Sequence, residues 1–368
     1  MRIGERTIGG DAPVYTIAEL GVNHDGSIDR ALDLTRAAAR AGADAVKLQV
    51  FRADRLLGMG SRLAEYQARA GETDPREMLR RLELDPVEMA RVVALAHELG
   101  LHAIATVFSL ELVREADQIA WDAWKTASPD VVNTPLLGAL VATGRPLIVS
   151  TGAADLDEVR SAAAFLAPAR DRVAMLQCVS AYPTPREHAS IGGLRAIARV
   201  FAGPVGYSDH TREIETGALA ARHGAAVLEK HLTYSRLARG PDHAASLDEA
   251  GLRDYVRLAR EGTLAFSRGE PPPDGPEIGP DAKHVLDIER DVRSVSRQSV
   301  TTTRALPEGH VLSSGDLTLK RPGTGLPPAR LASVVGRCLA RAVEADAMLT
   351  PADLDAPHAA PTRVGARA

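Results

Sequence analysis

Two histidines follow neighbouring apolar runs of the chain, and each lies in a short polar cluster. His210 lies in Ser208–Thr211, and His231 ends Glu229–His231. Neutral imidazoles bind divalent metals, and the open positions of such a metal can bind a substrate oxygen. One such histidine would more often be a hydrogen-bonded residue at a strand edge. Two of them, each beside a carboxylate or hydroxyl, favour an active site.

Lysine is rare in this chain, and its positions predict the charge of the ligand. Among 44 lysines and arginines, lysine occurs only at Lys47, Lys125, Lys230, Lys283 and Lys320. The first three stand at the ends of predicted strands. A compact ammonium group suits sites where a guanidinium fork would not fit. These three positions therefore predict an anionic ligand, most simply a phosphate.

Composition and charge are those of an ordinary globular protein. The 368 residues are 45% hydrophobic and 25% charged, with a formal net charge of −4. This charge gives no support for binding to nucleic acid or a membrane surface. No apolar run approaches the ~20 residues of a membrane span, and the N-terminus does not resemble a signal peptide. Cys178 and Cys338 are too few for a disulfide framework, so we expect a reduced, cytoplasmic protein.

Short β-rich runs alternate with amphipathic helical patterns as far as about residue 266. Strict alternation with eight strands predicts a parallel (β/α)8 TIM barrel over residues 1–268. A doubly wound sheet is the alternative, but no Gly-x-Gly-x-x-Gly turn follows the first strand. Glycines that end helices precede several strands, at Gly42, Gly100, Gly144 and Gly224. The predicted strands are Val14–Leu20, Asp44–Val50, His102–Val107, Trp121–Thr126, Pro146–Thr151, Val173–Cys178, Pro204–Ser208 and Ala226–His231, and the helical patterns include Ile28–Ala41, Pro86–Leu99, Leu156–Leu166, Ile191–Phe201 and Arg212–His223.

Polar residues stand at the C-terminal ends of the predicted strands, where barrel enzymes carry their chemistry. A single serine or threonine there would more often be a packed side chain, but together they predict a ring. The segment Arg52–Leu84 is too long for a plain connection and predicts a loop that covers the substrate. Besides the histidine clusters, the ring contains Glu19, Lys47, Gln49, Thr106, Lys125, Ser150, Thr151, Gln177 and Ser180.

The remainder of the chain predicts a second, smaller module. Residues 269–292 form a linker that is rich in proline and glycine, and residues 293–355 form a small β-rich domain. Within that domain, Arg304–Leu312 and Arg341–Leu349 are near-repeats, which indicates a duplicated unit. The tail 356–368 is predicted to be disordered.

Several long motifs resemble those of the sialic acid synthase family, in the same order along the chain. The segment around Lys320–Gly325 is similar to the antifreeze-like SAF domain of that family. The resemblance runs from about residue 14 to residue 354. The barrel motifs are Ala18–Gly26, Gly42–Gln49, Ser150–Gly152, Ser180–Pro185, Tyr207–Thr211, Glu229–His231 and Gly240–His243.

The resemblance implies condensation of phosphoenolpyruvate with an open-chain N-acetylated aminosugar, which releases phosphate and forms a nine-carbon keto acid. It implies Mn²⁺, or else Mg²⁺ or Co²⁺, held by His210 and His231. It also implies a homodimer in which the SAF domain is exchanged and Arg321 reaches the active site of the partner subunit. The implied catalytic residues are Glu19, Lys47, Lys125 and His231, and the implied substrate contacts are Gln49, Thr106, Ser128, Ser150, Ser180, Tyr182, Ser208, Asp242 and Arg321.

The chemistry fits these residue types, and alternatives stay open. A metal would polarise the sugar aldehyde, and Glu19 would orient or deprotonate the attacking water. A Schiff-base aldolase with Lys47, Lys125 or Lys230 as nucleophile is one alternative. Another metal-dependent phosphoenolpyruvate–aldose synthase is a second, and a non-enzymatic binding module is a third. The resemblance leaves the sugar open, with N-acetylmannosamine and a 2,4-diacetamido-6-deoxyhexose as the candidates.

Overall fold

A small hairpin and eight parallel strands build the N-terminal part of the protein, in a computed structural model that describes residues 1–355. The hairpin consists of β1 (Arg2–Ile3) and β2 (Arg6–Thr7). The eight strands close into a barrel because the last pairs with the first, which confirms the predicted (β/α)8 barrel. They are β3 (Tyr15–Gly21), β4 (Ala45–Val50), β5 (His102–Val107), β6 (Ala123–Thr126), β7 (Leu147–Ser150), β8 (Val173–Cys178), β9 (Val205–Asp209) and β10 (Val227–His231).

Alternation of side chains along each strand divides the apolar residues of the barrel into two layers. Outward-facing residues such as Val46 and Trp124 pack against the surrounding helices. Inward-facing residues such as Ile17 and Ile104 fill the lower half of the barrel, where Ile3 of the hairpin covers them. The N-terminal half of the barrel is therefore a packed apolar interior.

Helices form the outer layer, and their ends follow the capping signals of the sequence. Helix α1 (Ile28–Ala41) begins at Ser27, whose hydroxyl accepts a backbone N–H of the first turn, and it ends at Gly42 with φ of 81°. Gly100, Gly144 and Gly224 also have positive φ, as predicted. The other helices are α2 (Ala53–Leu56), α3 (Glu65–Arg69), α4 (Pro75–Leu82), α5 (Pro86–Glu98), α6 (Val113–Ala116), α7 (Thr134–Ala142), α8 (Leu156–Leu166), α9 (Gly193–Ala198), α10 (Thr216–Arg222), α11 (Glu249–Ser267), α12 (Arg290–Ser296) and α13 (Leu331–Val334).

Helices α9 and α10 are shorter than the predicted Ile191–Phe201 and Arg212–His223. The start of α9 contains two glycines, which have low helix propensity. Before α10, the carbonyl of Glu213 accepts a hydrogen bond from Lys230 Nζ at 3.2 Å instead of one from a helical N–H. Low helix propensity therefore makes α9 begin later than predicted, and the hydrogen bond from the buried Lys230 side chain does the same for α10.

The chain after the barrel ends in a small domain with its own core. Strands β11 (Ser299–Thr302) and β12 (Leu317–Lys320) pair antiparallel, and Val300 and Leu319 are buried beneath them. The predicted domain boundary at residue 293 falls inside α12, which continues to Ser296. The predicted tail 356–368 lies outside the described residues. Within residues 1–355, no helix is long and apolar enough to cross a membrane.

The near-repeat of the C-terminal domain corresponds to two matching halves. Leu306 and Val343, which occupy equivalent positions in the two copies, exchange backbone hydrogen bonds of 2.9 Å. Each copy is followed by a 3-10 turn whose aspartate pairs with the arginine that begins the copy. These ion pairs are Arg304–Asp316 and Arg341–Asp353.

Candidate active site

A pocket with an empty volume of about 1140 Å³ opens at the C-terminal end of the barrel. It brings together every catalytic, substrate-binding and metal-binding residue that the resemblance implied, although its geometry alone assigns none of their roles. The predicted ring members Thr151 and Gln177 do not line it. The Thr151 hydroxyl donates a hydrogen bond to the carbonyl of Leu176, and the Gln177 amide donates one to the carbonyl of Ser190. The lining includes Glu19, Lys47, Gln49, Thr106, Lys125, Ser128, Ser150, Ser180, Tyr182, Ser208, His210, His231, Asp242 and Arg321.

Two buried lysines stand side by side on the pocket floor. Lys47 Nζ lies 2.6 Å from a carboxylate oxygen of Glu19 and donates to Thr106 Oγ1 at 2.8 Å. Lys125 Nζ donates to Ser150 Oγ at 2.5 Å. Burial would lower the pKa of Lys47, but the neighbouring Glu19 and Glu229 carboxylates raise it above its usual value. Burial lowers the pKa of Lys125, and the Glu229 carboxylate opposes that shift.

Glu229, which the sequence placed in the cluster with His231 but gave no role of its own, also lines the pocket. Its carboxylate lies 3.6 Å from Lys125 Nζ and accepts a hydrogen bond from Ser208 Oγ at 3.0 Å. Burial raises the pKa of Glu229, but Lys125 and Lys47 together hold it below its usual value. The signal was present in the sequence, because Glu229 and His231 are two residues apart on one strand and therefore face the same side.

Lys230 does not face the pocket, contrary to the prediction from its strand-end position. Its ammonium group lies 3.1 Å from the Asp209 carboxylate and donates to the carbonyl of Thr211 at 2.7 Å. Lys230 falls between Glu229 and His231, so its side chain points outward into the helix layer. It forms a buried ion pair behind the strands that carry the two histidines.

The two histidines present free ring nitrogens within the pocket. His210 Nδ1 donates to the carbonyl of Val179 at 2.8 Å, so in the neutral imidazole Nε2 carries the lone pair. Burial lowers the pKa of His210, but the neighbouring Cys178 and the Val179 carbonyl raise it to about 9. His231 Nδ1 is buried without a hydrogen-bond partner, and it lies 3.6 Å from the Asp242 carboxylate. The ring centres are 5.4 Å apart. Among residues 1–355 no group of three or more His, Cys, Asp or Glu side chains has the arrangement of a metal site.

Two further carboxyl groups are buried beside the histidines and lysines. Burial raises the pKa of Glu19, and Lys47 opposes the shift. Burial, with the Glu19 charge, raises the pKa of Asp242 to about 7. A carboxyl with a pKa close to neutral can donate or accept a proton at physiological pH, which suits general acid–base chemistry.

The segment between β4 and α5 covers the pocket, as predicted for Arg52–Leu84. It contains the short helices α2, α3 and α4. Tyr66 of α3 stacks on Tyr182 with ring centres 4.8 Å apart, and Tyr182 packs on His210 at 4.1 Å. Met78 and Leu82 of α4 form part of an apolar wall above the polar floor. The pocket therefore has a charged lower half and an apolar upper half.

Arg321 lies over the pocket of its own barrel in this single chain, whereas the resemblance implies a place in the pocket of the partner subunit. Its backbone N–H donates to the carbonyl of Leu56 at 2.8 Å, and its carbonyl accepts from the N–H of Gly58 at 2.9 Å. The guanidinium stands 5.3 Å from the ring centre of Phe108. Burial lowers the pKa of Arg321, and the carboxyl of Asp130 opposes that shift.

Comparisons with known proteins agree with this architecture over most of the chain. An N,N'-diacetyllegionaminic acid synthase of Legionella pneumophila is 35% identical, over 94% of this chain and 96% of that protein. A human N-acetylneuraminate-9-phosphate synthase is 29% identical, over 93% of this chain and 92% of that protein. The crystal structure of the Bacillus subtilis spore coat polysaccharide biosynthesis protein SpsE superposes with a TM-score of 0.84 and 28% identity, over 97% of this chain and 99% of that one.

Two family models match separate parts of the sequence. The SAF domain matches residues 297–355, which are the small C-terminal domain described above. The NeuB family matches residues 34–270, which make up most of the barrel and more than half of the chain. The chain belongs to the NeuB family, whose members condense phosphoenolpyruvate with an aminosugar.

Proposed function

We propose that this chain condenses phosphoenolpyruvate with an open-chain N-acetylated aminosugar, releasing phosphate and forming a nine-carbon keto acid. One observation carries the proposal: a single pocket holds two buried ammonium groups and two imidazoles with free nitrogens. The two ammonium groups suit the trianion phosphoenolpyruvate. The two imidazoles suit a metal that would polarise the sugar aldehyde. Family membership supports the same reaction.

The lysine side of the pocket suits phosphoenolpyruvate. Lys47 and Lys125 supply positive charge, and Thr106 and Ser150 are hydrogen-bonded to them. The hydroxyl of Ser180 is buried without a hydrogen-bond partner, which leaves it available to a bound anion. Charge-assisted hydrogen bonds of this kind are stronger than neutral ones. By similarity, Ser128, Ser208 and Gln49 complete the contacts.

The histidine side suits a divalent metal, and we propose Mn²⁺, with Mg²⁺ or Co²⁺ as substitutes. The unpartnered nitrogen of His231 and the carbonyl-bound ring of His210 fit this role, because metal-binding histidines commonly donate their other N–H to a carbonyl. When bound, the metal supplies Lewis-acid polarisation of the aldehyde oxygen. His210→Ala and His231→Ala should abolish activity while leaving the circular dichroism spectrum unchanged. Calorimetric titration should also detect no Mn²⁺ binding to either variant, and retained binding would contradict this assignment.

The residues of the chain position the two substrates and manage the proton. Glu19 and Asp242 face the same space between the lysines and the histidines. We assign Glu19 to the water that captures the cationic carbon after the new C–C bond forms. Asp242 and Tyr182 face the sugar, and the covering segment holds aldehyde and enol together, which accounts for a large share of the rate.

The apolar upper half of the pocket supports a 2,4-diacetamido-6-deoxyhexose as the sugar in preference to N-acetylmannosamine. A methyl group at C6 and a second acetamido methyl would bury apolar area there, at roughly 25 cal/mol per Å². A hydroxyl buried without a partner would cost ~1–3 kcal/mol. The relative from Legionella carries the name of a diacetylated product. The apolar wall consists of Val22, Phe51, Leu56, Met78, Leu82 and Phe108.

Phosphate release tests the reaction and the sugar together. The protein is incubated with phosphoenolpyruvate, Mn²⁺ and either the diacetamido sugar, N-acetylmannosamine or its 6-phosphate. We expect release that depends on the sugar and the metal, with kcat/KM at least about ten-fold higher for the diacetamido sugar. Borohydride should trap no lysine adduct, whereas a Schiff-base aldolase would be inactivated. Absence of release with every sugar would contradict the proposal.

We also propose the homodimer that the resemblance implies, with each C-terminal domain serving the partner subunit. Exchange of an identical element reproduces between two chains the contacts that one chain makes alone. Co-expression of Arg321→Ala with His231→Ala distinguishes the two arrangements. If the domain is exchanged, a mixed dimer contains one intact site, and turnover with the original KM for the sugar returns. If each domain serves its own barrel, neither site is intact, and the mixture shows only the raised KM for the sugar of Arg321→Ala.

A further inference from the structure

Glu289 lies between the barrel and the C-terminal domain, and its side chain is fully buried. One of its carboxylate oxygens, Oε1, accepts the backbone N–H of Ala153 and that of Ser180, both at 2.7 Å. The other, Oε2, accepts the N–H of Leu286 at 3.0 Å, which fixes the carboxylate within its own segment. A residue outside the barrel thus holds two barrel loops together through a single oxygen atom.

The two loops that meet at Glu289 form one wall of the pocket. Ala153 follows Ser150 in the loop after β7, and Ser180 lies in the loop after β8. The loops approach closely, since a Cβ atom at Gly152 would lie 2.3 Å from Ser180 Oγ and 2.7 Å from Ser128 Oγ. The hydroxyls of Ser128, Ser150 and Ser180 therefore face the pocket from one wall, and the distances between them depend on these two loops.

The backbone of Ala153 is held in a strained conformation. Its φ is 52°, in the left-handed region that non-glycine residues seldom adopt. Glu289 binds its N–H, and Arg293 donates to its carbonyl at 2.7 Å. Strain of this kind persists only where the surroundings impose it, and it is common at functional sites.

A second charged residue of the same segment holds the loop after β8 from its other side. Lys283 is buried, and its ammonium group donates to the carbonyl of Cys178 at 3.1 Å. The negative charge of Glu289 offsets the burial that lowers the pKa of Lys283. The segment from Lys283 to Arg293 is therefore not a spacer, because its charged groups bind the loops that follow β7 and β8.

We propose that Glu289 is a positioning residue for the phosphoenolpyruvate side of the pocket. By joining the N–H groups of Ala153 and Ser180, it sets the distance between the hydroxyls of Ser150 and Ser180. The inference rests on the proposed function, in which these hydroxyls bind the phosphate or carboxylate of phosphoenolpyruvate. Small displacements of positioned groups cause large losses of rate and affinity. Within the described residues, the hydrogen bonds of Glu289 go to Ala153, Ser180 and Leu286, and none goes to Asp242 or Tyr182, which face the sugar.

The test compares three variants of the full chain. Glu289→Ala should raise KM for phosphoenolpyruvate about ten-fold or more, while KM for the sugar changes less than about two-fold. Glu289→Gln retains an oxygen that accepts both N–H groups, so KM should stay within about three-fold of the original. Glu277→Ala is the matched control, since Glu277 is a buried carboxylate of the same linker whose partner is Arg186. Its kinetics should not change.

Several outcomes would overturn this inference. An equal rise of both KM values, or a Glu289→Gln variant as impaired as Glu289→Ala, would indicate a general structural role. If Glu289→Ala fails to fold, Glu289→Asp should show the same selective rise in KM for phosphoenolpyruvate, and an unselective loss would count against the proposal. An unmodified protein that releases no phosphate would refute the proposed function instead. Turnover that is unaffected in Glu289→Ala would refute only the positioning role.

Discussion

Among its neighbours, the Glu229 carboxylate has the largest effect on the charge of Lys125. Burial alone lowers the pKa of this lysine, and the negative charge of Glu229 opposes that effect. Glu229→Gln removes the opposing charge, so the pKa of Lys125 should fall further. We expect the alkaline limb of kcat/KM for phosphoenolpyruvate to move to lower pH, because the ammonium form is lost sooner. A pH profile of both proteins measures the shift, and an unchanged limb would separate Lys125 from substrate binding.

At the scale of single residues, the sequence predicted which side chains gather at the pocket better than which way they face. Lys47 and Lys230 both end predicted strands, yet Lys47 faces the pocket and Lys230 faces the helices. Alternate residues of a strand point into the barrel and out towards the helices. In a short strand that is buried on both faces, such as β10, polar and apolar residues do not alternate, so the sequence does not show which residues point inward. Glu229 is two residues from His231, so its inward direction follows once His231 is placed in the pocket.

At the scale of elements, Glu158 of α8 fastens the segment after the barrel to the barrel itself. It pairs with Arg293 at 2.8 Å and with Arg297 at 2.7 Å. Burial raises the pKa of Glu158, but the two arginines lower it to about 2, below the ordinary 4.5. The unfolded chain therefore binds the proton more tightly, so the stability from this group is present above about pH 4.5 and is lost as pH falls towards 2.

Glu158→Gln should remove that dependence on pH. We expect the variant to unfold at a lower temperature than the original protein at pH 7. Between pH 7 and pH 3.5 this difference should become smaller, because the carboxylate gains a proton in the unfolded chain while it stays ionised in the folded protein. Thermal unfolding followed by circular dichroism at both values measures the effect. If the difference in unfolding temperature were equal at the two pH values, the stabilisation would not come from the charge of the Glu158 carboxylate.

Elements with strong local signals were predicted well, and those defined by tertiary contacts were not. Helix α1 has both caps in its sequence and begins and ends as predicted. The covering segment was expected only as a loop, although α4 begins with an aspartate followed by proline, Asp74-Pro75, which is a recognised start signal. Helix α5, which was predicted, begins with the same signal at Asp85-Pro86. Helix α12 was hidden by the proline-rich composition before it.

At the scale of the whole molecule, the barrel followed from the alternation of strands and helices, but the docking of the second domain did not. The prolines and glycines of 269–283 indicated a spacer. The structure instead has buried charges, Lys283 and Glu289, bound to the barrel loops. Composition indicates how stiff a segment is. Whether the segment docks on the barrel depends instead on a few side chains that form hydrogen bonds with it.

Arg321 is where the two domains of the molecule contribute to one pocket. Its guanidinium lies beside Phe108 of the apolar upper half, whereas the lysines that are proposed to bind phosphoenolpyruvate belong to the charged lower half. Arg321→Ala should therefore raise KM for the sugar at least about ten-fold and change KM for phosphoenolpyruvate by less than about three-fold. Arg304→Ala is the control, since Arg304 pairs with Asp316 inside the C-terminal domain. Steady-state kinetics with each substrate varied in turn measures both constants, and equal effects on the two would mean that Arg321 closes the pocket without contacting the sugar.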